Sequence, residues 1–306
     1  MRSYNTNDFY ADSPTVVALG CFDGVHKGHR EVVSEAVRIA KEKNIKSAVF
    51  TFSDSPRNFF SPGASPTITD PEEKKRLMRS LGVDIYISVP FDEKMCQLSA
   101  EDFFYEIIIK RLSASHVVCG FNYSFGKNGR GSTDLLSELC RKNLIGFTSL
   151  EQVNVDGEAV SASAIRRAVS EGDMESAMRY LGRPFSISVK VTDGQKLARR
   201  LGFPTINQTL ELGRLVPRHG VYLTRSSVGR RKYYGITNVG TRPTVGGGLL
   251  CAETHLFSFS GDLYGKRVKV EFLRFIRDEV PFSSVDDLAK QVAEDINNAK
   301  KFIKKG

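Results

Sequence analysis

The first residues whose types and spacing suit chemistry lie in the stretch Leu19-Gly-Cys-Phe-Asp-Gly-Val-His-Lys-Gly-His29. The apolar run Thr15-Val-Val-Ala-Leu19 stops at Gly20, and a helical apolar pattern begins just beyond His29, so the stretch reads as a strand-turn-helix junction. Such a junction suits phosphate. Free backbone N–H groups and the positive end of a helix dipole face the ligand, and Gly20, Gly24 and Gly28 let backbone approach closely. His26 and His29 fall on one side of the first helical turn, placed to hydrogen-bond a nucleotide's phosphates and to stabilise the charge that builds up when the α-phosphorus is attacked. Two other readings stand beside this one. The histidines and Cys21 are also zinc-ligand types, although no fourth ligand at structural spacing is visible, and histidines at a helix start can simply satisfy backbone groups.

Further along, the glycine-rich loop from Gly120 to Gly131, containing Asn122, imitates a P-loop. Five residues separate Gly120 from Gly126 where a P-loop has four, and Asn128 replaces the Ser/Thr that would hold Mg²⁺, so a Walker A site is rejected. A lid over phosphates and a plain surface turn both stay open. Val160-Ser-Ala-Ser-Ala-Ile-Arg-Arg167 offers hydroxyls at a helix start with cations one turn later, which is either a capped helix or a phosphate clamp through Ser163 and Arg166. In Leu201-Gly-Phe-Pro-Thr-Ile-Asn207, Thr205 and Asn207 share one face of an extended segment, where two oxygens suit Mg²⁺ bound to phosphates. Asn238-Val-Gly-Thr-Arg-Pro-Thr244 reads as a tight Gly/Pro loop carrying a cation, and Glu253, among apolar neighbours in a strand, suits a general base.

The elements needed to position these groups divide the chain in two. Strand and helix patterns alternate over roughly the first 150 residues, predicting an α/β, Rossmann-like domain with a parallel sheet whose strand ends carry the ligand site. Pro184 marks a boundary, giving domains 1–183 and 184–306. Beyond it, five or six short runs of period two predict a small antiparallel β-barrel, closed by a terminal amphipathic helix with Val285, Leu288, Ala289, Val292, Ala293, Ile296, Ala299 and Phe302 on one face. At 306 residues the chain is long enough for two cores. Residues up to Arg183 carry 23 Lys+Arg and 24 Asp+Glu, net −1; the remainder carries 21 and 11, net +10. Without a recognisable nucleic-acid module, the basic half is expected to meet small polyanions such as nucleotides rather than nucleic acid. The absence of a long apolar run or a signal pattern predicts no membrane span, and five scattered cysteines fit a reducing cytoplasm.

Gly-x-Phe-Asp-Gly-x-His-x-Gly-His at residues 20–29 resembles the signature of the nucleotidyltransferases that move an adenylyl or cytidylyl group. Gly-Phe-Pro-Thr-x-Asn, Gly-Val-Tyr, Gly-x-x-Asn-x-Gly-x-Arg-Pro-Thr, Glu-Thr-His-Leu and Asp-Leu-Tyr-Gly-Lys, in that order, resemble riboflavin kinase. From about Val16 to the final helix the chain is similar to the bacterial bifunctional riboflavin kinase/FAD synthetase family.

The resemblance implies two reactions with ATP as co-substrate and Mg²⁺ as metal: phosphorylation of riboflavin to FMN, then adenylylation of FMN to FAD. It implies Glu253, His26 and His29 as catalytic residues. Gly20, Phe22, Asp23, Gly24, Gly28, Asn122, Ser163, Arg166, Gly202 and Thr205 would meet nucleotide and phosphates, Thr205 and Asn207 the metal, and Arg242, Arg277 and Glu279 the flavin. The oligomeric state is left open. The chain departs from the family pattern where Pro-His-Pro usually follows Thr51-Phe52, since Asp54-Ser55-Pro56 keeps only the last residue, and also at Asn122, Ala164, Ala198 and Ser258. A kinase with a degenerate adenylyltransferase half, and a flavin- or RNA-binding regulator, are the competing expectations.

Overall fold

The computed structural model describes residues 1–6, 8–192, 202–244 and 247–305, and the chain divides into two compact units, Met1–Ala162 and Ser163–Gly306. This division falls before the helix pair that precedes Pro184. Ala198, and with it Leu201 at the head of the Gly-Phe-Pro-Thr motif, lies outside the described residues.

The first unit is built on six parallel strands: β1 (Arg2–Tyr4), β2 (Thr15–Leu19), β3 (Lys46–Phe52), β4 (Ile85–Val89), β5 (Ala114–Gly120) and β6 (Gly146–Leu150), in the spatial order β1-β4-β3-β2-β5-β6. Central β2 is buried at every position because both faces are covered. Val16 and Ala18 pack with Val33, Ala36 and Ala40 of helix α1 (Lys27–Glu42). Val17 and Leu19 face a second cluster that includes Phe104, Ile108 and Leu136. The parallel, doubly covered sheet predicted from the alternating pattern is therefore present, and its two edge strands, β1 and β6, are additions.

Helix α2 (Pro56–Phe60) follows β3, and helix α3 (Pro71–Ser80) is started by Asp70, whose carboxylate accepts the backbone N–H of Glu72 and Glu73. Helix α4 (Glu93–Gln97) and helix α5 (Ala100–Asp102, capped by Ser99) follow β4. Helix α5 widens into a π-helical stretch, Phe103–Arg111, where Leu112 N–H reaches Ile107 O at 3.0 Å. Helix α6 (Thr133–Lys142) and a two-residue-strand hairpin, β7 (Asn154–Val155) with β8 (Glu158–Ala159), complete the unit.

The second unit opens with α7 (Ala162–Glu171) and α8 (Met174–Leu181), the latter ended by Gly182 in the left-handed conformation. Its sheet is wholly antiparallel. Strands β9 (Phe185–Lys190), β10 (Thr205–Thr209), β11 (Gly220–Val228), β12 (Arg231–Thr244), β13 (Gly247–Leu256) and β14 (Arg267–Arg277) run in the order β10-β13-β12-β11-β14-β9. The two edges meet where Thr192 N–H donates to Asn207 O at 2.8 Å, closing a small barrel. Inside it Tyr222, Phe272 and Phe185 pack together, Thr224, Thr237 and Thr254 link hydroxyl to hydroxyl at 2.8 and 2.9 Å, and Gln208 donates to Val189 O and Val268 O.

One sequence expectation is corrected here. Residues 238–244, read as a Gly/Pro loop, are the end of β12, with Arg242 opposite Leu249 and Pro243 opposite Gly248. The proline is tolerated because β11 pairs only as far as Val239, so beyond that residue β12 has a neighbour on one side alone.

The terminal helix α9 (Val285–Lys305) places Ile296 and Ala299 against Val221, Leu223 and Ile236 on the outside of the barrel. Arg277 locks it there, its Nε and Nη2 donating to the two oxygens of Asp295 at 2.9 and 2.7 Å. Asp295 is only 2% exposed. Removing one member of a buried ion pair leaves the other charge unpaired, so Asp295→Ala is expected to destabilise the barrel by about 3 kcal/mol. Urea unfolding followed by barrel tyrosine fluorescence checks this; an unchanged midpoint would make the pair a bystander.

Candidate active sites

In the first unit, the ends of β2, β3 and β5 bring three loops to one edge of the sheet, as parallel sheets do for their ligands. The loop after β2 is strained. Phe22 and Val25 have φ of 49° and 41°, a region that non-glycine residues avoid, and Gly24 has φ of 84°. Burial holds the strain in place, since Phe22 is 1% and Val25 0% exposed. Gly20 is needed beside it, because a methyl group there would stand 2.9 Å from the Phe22 ring. The Asp23 carboxylate accepts the N–H of Ile68 at 3.0 Å and of Thr69 at 3.2 Å, so in this state it organises the loop before α3.

Of the readings the sequence left open for the two histidines, the structure shows the one in which a histidine at a helix start satisfies a backbone group. His26 is the N-cap of α1, its Nδ1 accepting the His29 N–H at 3.2 Å. That bond leaves Nε2 to carry a neutral ring's proton. His29 stacks on His26 with ring centroids 3.5 Å apart, and its Nδ1 is buried without a hydrogen-bond partner. Burial, then the neighbouring His26 and Lys74, hold the His29 pKa well below the ordinary imidazole value of 6.5. The His29 ring is therefore held neutral. Gly28 belongs to the same arrangement, with a methyl group there falling 3.3 Å from the His26 ring.

Around this pair lie groups that the sequence reading missed. Lys74 of α3 is buried and donates to Cys21 O at 2.6 Å, Thr51 Oγ1 at 2.9 Å and Phe52 O at 3.2 Å. The unusual Asp54-Ser55-Pro56 turn starts α2, with Asp54 accepting from Ser55 N–H and Asn58 Nδ2. It presents Phe59 and Phe60, both exposed, which with Phe91 form an edge-to-face cluster at 5.3 to 6.1 Å. The loop from Gly120 is tied back on itself by paired bonds between Phe125 and Gly131, with Asn122 exposed near the end of β5. Ser163 and Arg166 sit on α7, in the second unit.

In the barrel, register assembles the second site. Asn207 of β10 faces Glu253 of β13, which faces Asn238 of β12. The three form one row on the outer face, with Cβ atoms of neighbours about 5 Å apart. The next row is Thr205, His255 and Ile236. The row ends Val221, Leu223 and Ile236 are under α9, so the polar end alone is left for a ligand. His255 Nδ1 donates to Pro204 O at 2.9 Å and so holds the turn that follows Gly202, whose φ is 86°. Glu279 joins the row through Asn238 Nδ2 at 2.9 Å, and Gly240 leaves the space its carboxylate fills. Arg277, by contrast, is engaged with Asp295, and the Arg242 side chain lies outside what is described. The oxygen donors of Thr205 and Asn207, two residues apart on β10, fit a hard cation such as Mg²⁺, which keeps few protein ligands when it shares phosphates.

Comparison with known proteins decides between the expectations. The FAD synthetase family model matches residues 9–164 and the riboflavin kinase model residues 181–303. A protein named bifunctional riboflavin kinase/FMN adenylyltransferase from Pseudomonas fluorescens is 35% identical over 93% of this chain and 92% of its own length. The chain belongs to the bifunctional riboflavin kinase/FMN adenylyltransferase family. The Bacillus subtilis protein of that name is also 35% identical, over 94% of this chain and 92% of its own. A solved structure named macrolide-efflux protein, from Streptococcus pneumoniae, superposes with a TM-score of 0.88 at 30% identity, covering 98% of this chain and 99% of that one. Among the described residues no helix is long and apolar enough to cross a membrane. Each family model thus contains one of the two sites: the strained loop with its histidine pair, and the row across the barrel.

The burial of neutral His29 has a consequence for stability. Below pH about 6.5 the unfolded chain takes up a proton that folded His29 refuses, so its contribution is complete above that pH and is lost as pH falls toward the depressed folded value. Denaturant unfolding between pH 7.5 and 5 is expected to show a falling midpoint, with a shallower fall in His29→Asn. Equal slopes in both proteins would remove His29 as the cause.

Proposed function

We propose that the chain makes FMN from riboflavin and ATP in its barrel and FAD from FMN and a second ATP in its parallel-sheet domain. The reading is supported above all by the register that sets Asn207, Glu253 and Asn238 in one row, because a carboxylate between two amides at the open end of an apolar face is what a kinase of a small alcohol needs. Glu253 takes the proton from the 5′-hydroxyl of riboflavin as its oxygen attacks the γ-phosphorus, and ADP leaves. Thr205 and Asn207 would hold Mg²⁺, which when bound neutralises charge on the phosphates. Gly202 and the turn fixed by His255 deliver Thr205 to the nucleotide. Glu279 is assigned to the flavin, as is Arg242 on its sequence motif alone, while Arg277 serves that site by fixing α9.

In the parallel-sheet domain an FMN phosphate oxygen attacks the α-phosphorus of ATP, and pyrophosphate leaves. The attacking phosphate is already a nucleophile, so no covalent enzyme intermediate is required. The loop 20–24 supplies backbone N–H groups, and His26 and neutral His29 donate to the oxygens that gain charge. Phe59, Phe60 and Phe91 offer the flavin ring an aromatic face near the end of β3. Ser163 and Arg166 are assigned to the triphosphate on their sequence motif. A cytoplasmic setting agrees with five free thiols, of which Cys119, Cys140 and Cys251 are buried.

Purified protein incubated with Mg-ATP and either riboflavin or FMN, with flavins resolved by chromatography, tests this directly. FMN and then FAD are expected; FMN without FAD would reduce the chain to a kinase, and neither product would end the reading. Glu253→Gln should cut FMN formation at least ~100-fold and spare FAD formation from supplied FMN. His29→Ala should reverse the pattern, lowering FAD formation about 100- to 1,000-fold. Parallel loss of both activities in either variant would contradict two independent sites.

A further inference from the structure

The buried ammonium of Lys74 is absorbed by no step above, yet it lies directly behind the loop that would hold phosphate. It joins the turn after β2, through Cys21 O, to the end of β3, through Thr51 Oγ1 and Phe52 O, and Thr51 Oγ1 itself donates to Cys21 O at 2.8 Å. Three acceptors match the three N–H groups of an ammonium. The carbonyl of Cys21 belongs to the peptide whose N–H is that of Phe22, the first strained residue of the loop. A cation bonded to that carbonyl withdraws electrons through the amide and makes its N–H a stronger donor. Resting on the adenylyltransfer reading, we propose that Lys74 is a positioning residue for that reaction, holding the strained loop and polarising the Cys21–Phe22 peptide toward the phosphates.

The charge is sustained against burial. Burial lowers the Lys74 pKa to about 8, with Asp23, Cys21 and Asp54 pulling it back up, and Lys74 in turn helps, from the side of α3, to keep His29 neutral. Asp54 is one of the residues by which this chain departs from the family pattern after β3, and here it supplies a carboxylate that favours the ammonium. As pH rises through about 8 the ammonium is lost, and with it the peptide's polarisation.

The experiment measures FAD formation from FMN by the full-length protein between pH 6.5 and 9.5, with riboflavin phosphorylation followed in the same preparations. Wild type is expected to lose adenylyltransfer on an alkaline limb centred near pH 8. Lys74→Met is expected to lower kcat for FAD formation at least tenfold at pH 7, to change KM for ATP less than threefold, and to lack the limb. Lys74→Arg should restore part of kcat and move the limb out of range. No FAD from wild type at any pH would sink the site assignment itself. FAD formation by wild type that is flat from pH 7 to 9.5 would overturn the proposal even if Lys74→Met fails to fold. Disappearance of the limb in Cys21→Ser would assign it to the thiol and overturn the proposal too.

Discussion

A parallel sheet ends its strands at one edge, and the backbone groups released there must find partners or water. In this protein that constraint shapes the first site. The chain leaving β2 has to turn sharply toward α1, and it does so through left-handed Phe22, Gly24 and Val25. Such a turn persists only if its surroundings over-determine it. Phe22 and Val25 are sunk into the core, Asp23 is spent on the backbone of residues 68 and 69, and the Cys21 carbonyl is claimed by Lys74 and Thr51. Little in the loop is left to relax. The N–H groups that remain for a ligand are therefore fixed in advance, which is the condition under which backbone dipoles stabilise a developing charge effectively.

The barrel solves a related problem by register. Every residue in an antiparallel ladder has a defined opposite number, so groups far apart in sequence become neighbours without any loop to position them. Asn207, Glu253 and Asn238 meet in this way, and a slip of one residue in β13 would turn Glu253 into the interior beside Thr237. The interior row of threonine hydroxyls and Gln208 opposes such a slip, because each hydrogen bond there is made only in the observed register. Helix α9 adds a second restraint by covering the apolar ends of the same rows.

Much of this was legible in the sequence, for reasons that also explain what was not. Period two places Thr205 with Asn207 on one face, and the apolar run before Gly20 announces the junction, because both signals are local. Lys74 gave no such signal. It stands in the run Glu72-Glu73-Lys74-Lys75-Arg76, whose composition is that of a solvated helix start, and only packing against β2 and β3 buries one of its three cations. The same holds for Glu279 beside Asn238, a contact between residues 41 apart. Residues 238–244 misled in the opposite sense. Their Gly and Pro content is that of a loop, but Gly240 makes room for Glu279 and Pro243 lies where β12 is free on one side, so each breaker has a place within a strand.

The two halves handle polyanions from opposite electrostatic positions. The part up to Arg183 is nearly neutral, so on the proposed reading a triphosphate would gain little there from net charge and would be held by directed donors: N–H groups of a fixed loop, two imidazoles, and one ammonium kept behind the backbone. Keeping the ammonium one peptide away from the ligand has a physical advantage. A lysine in direct contact would be solvated and mobile, whereas one bonded to three fixed acceptors acts through a rigid amide. It also holds His29 in the neutral form that can donate without the cost of a buried imidazolium. The barrel half, net +10, would on the same reading attract nucleotide through its overall field and so tolerate a carboxylate at the centre of its site. A general base there needs a site that draws in phosphate without pairing directly with the base, and the amides on either side of Glu253 meet that need because they are polar and uncharged.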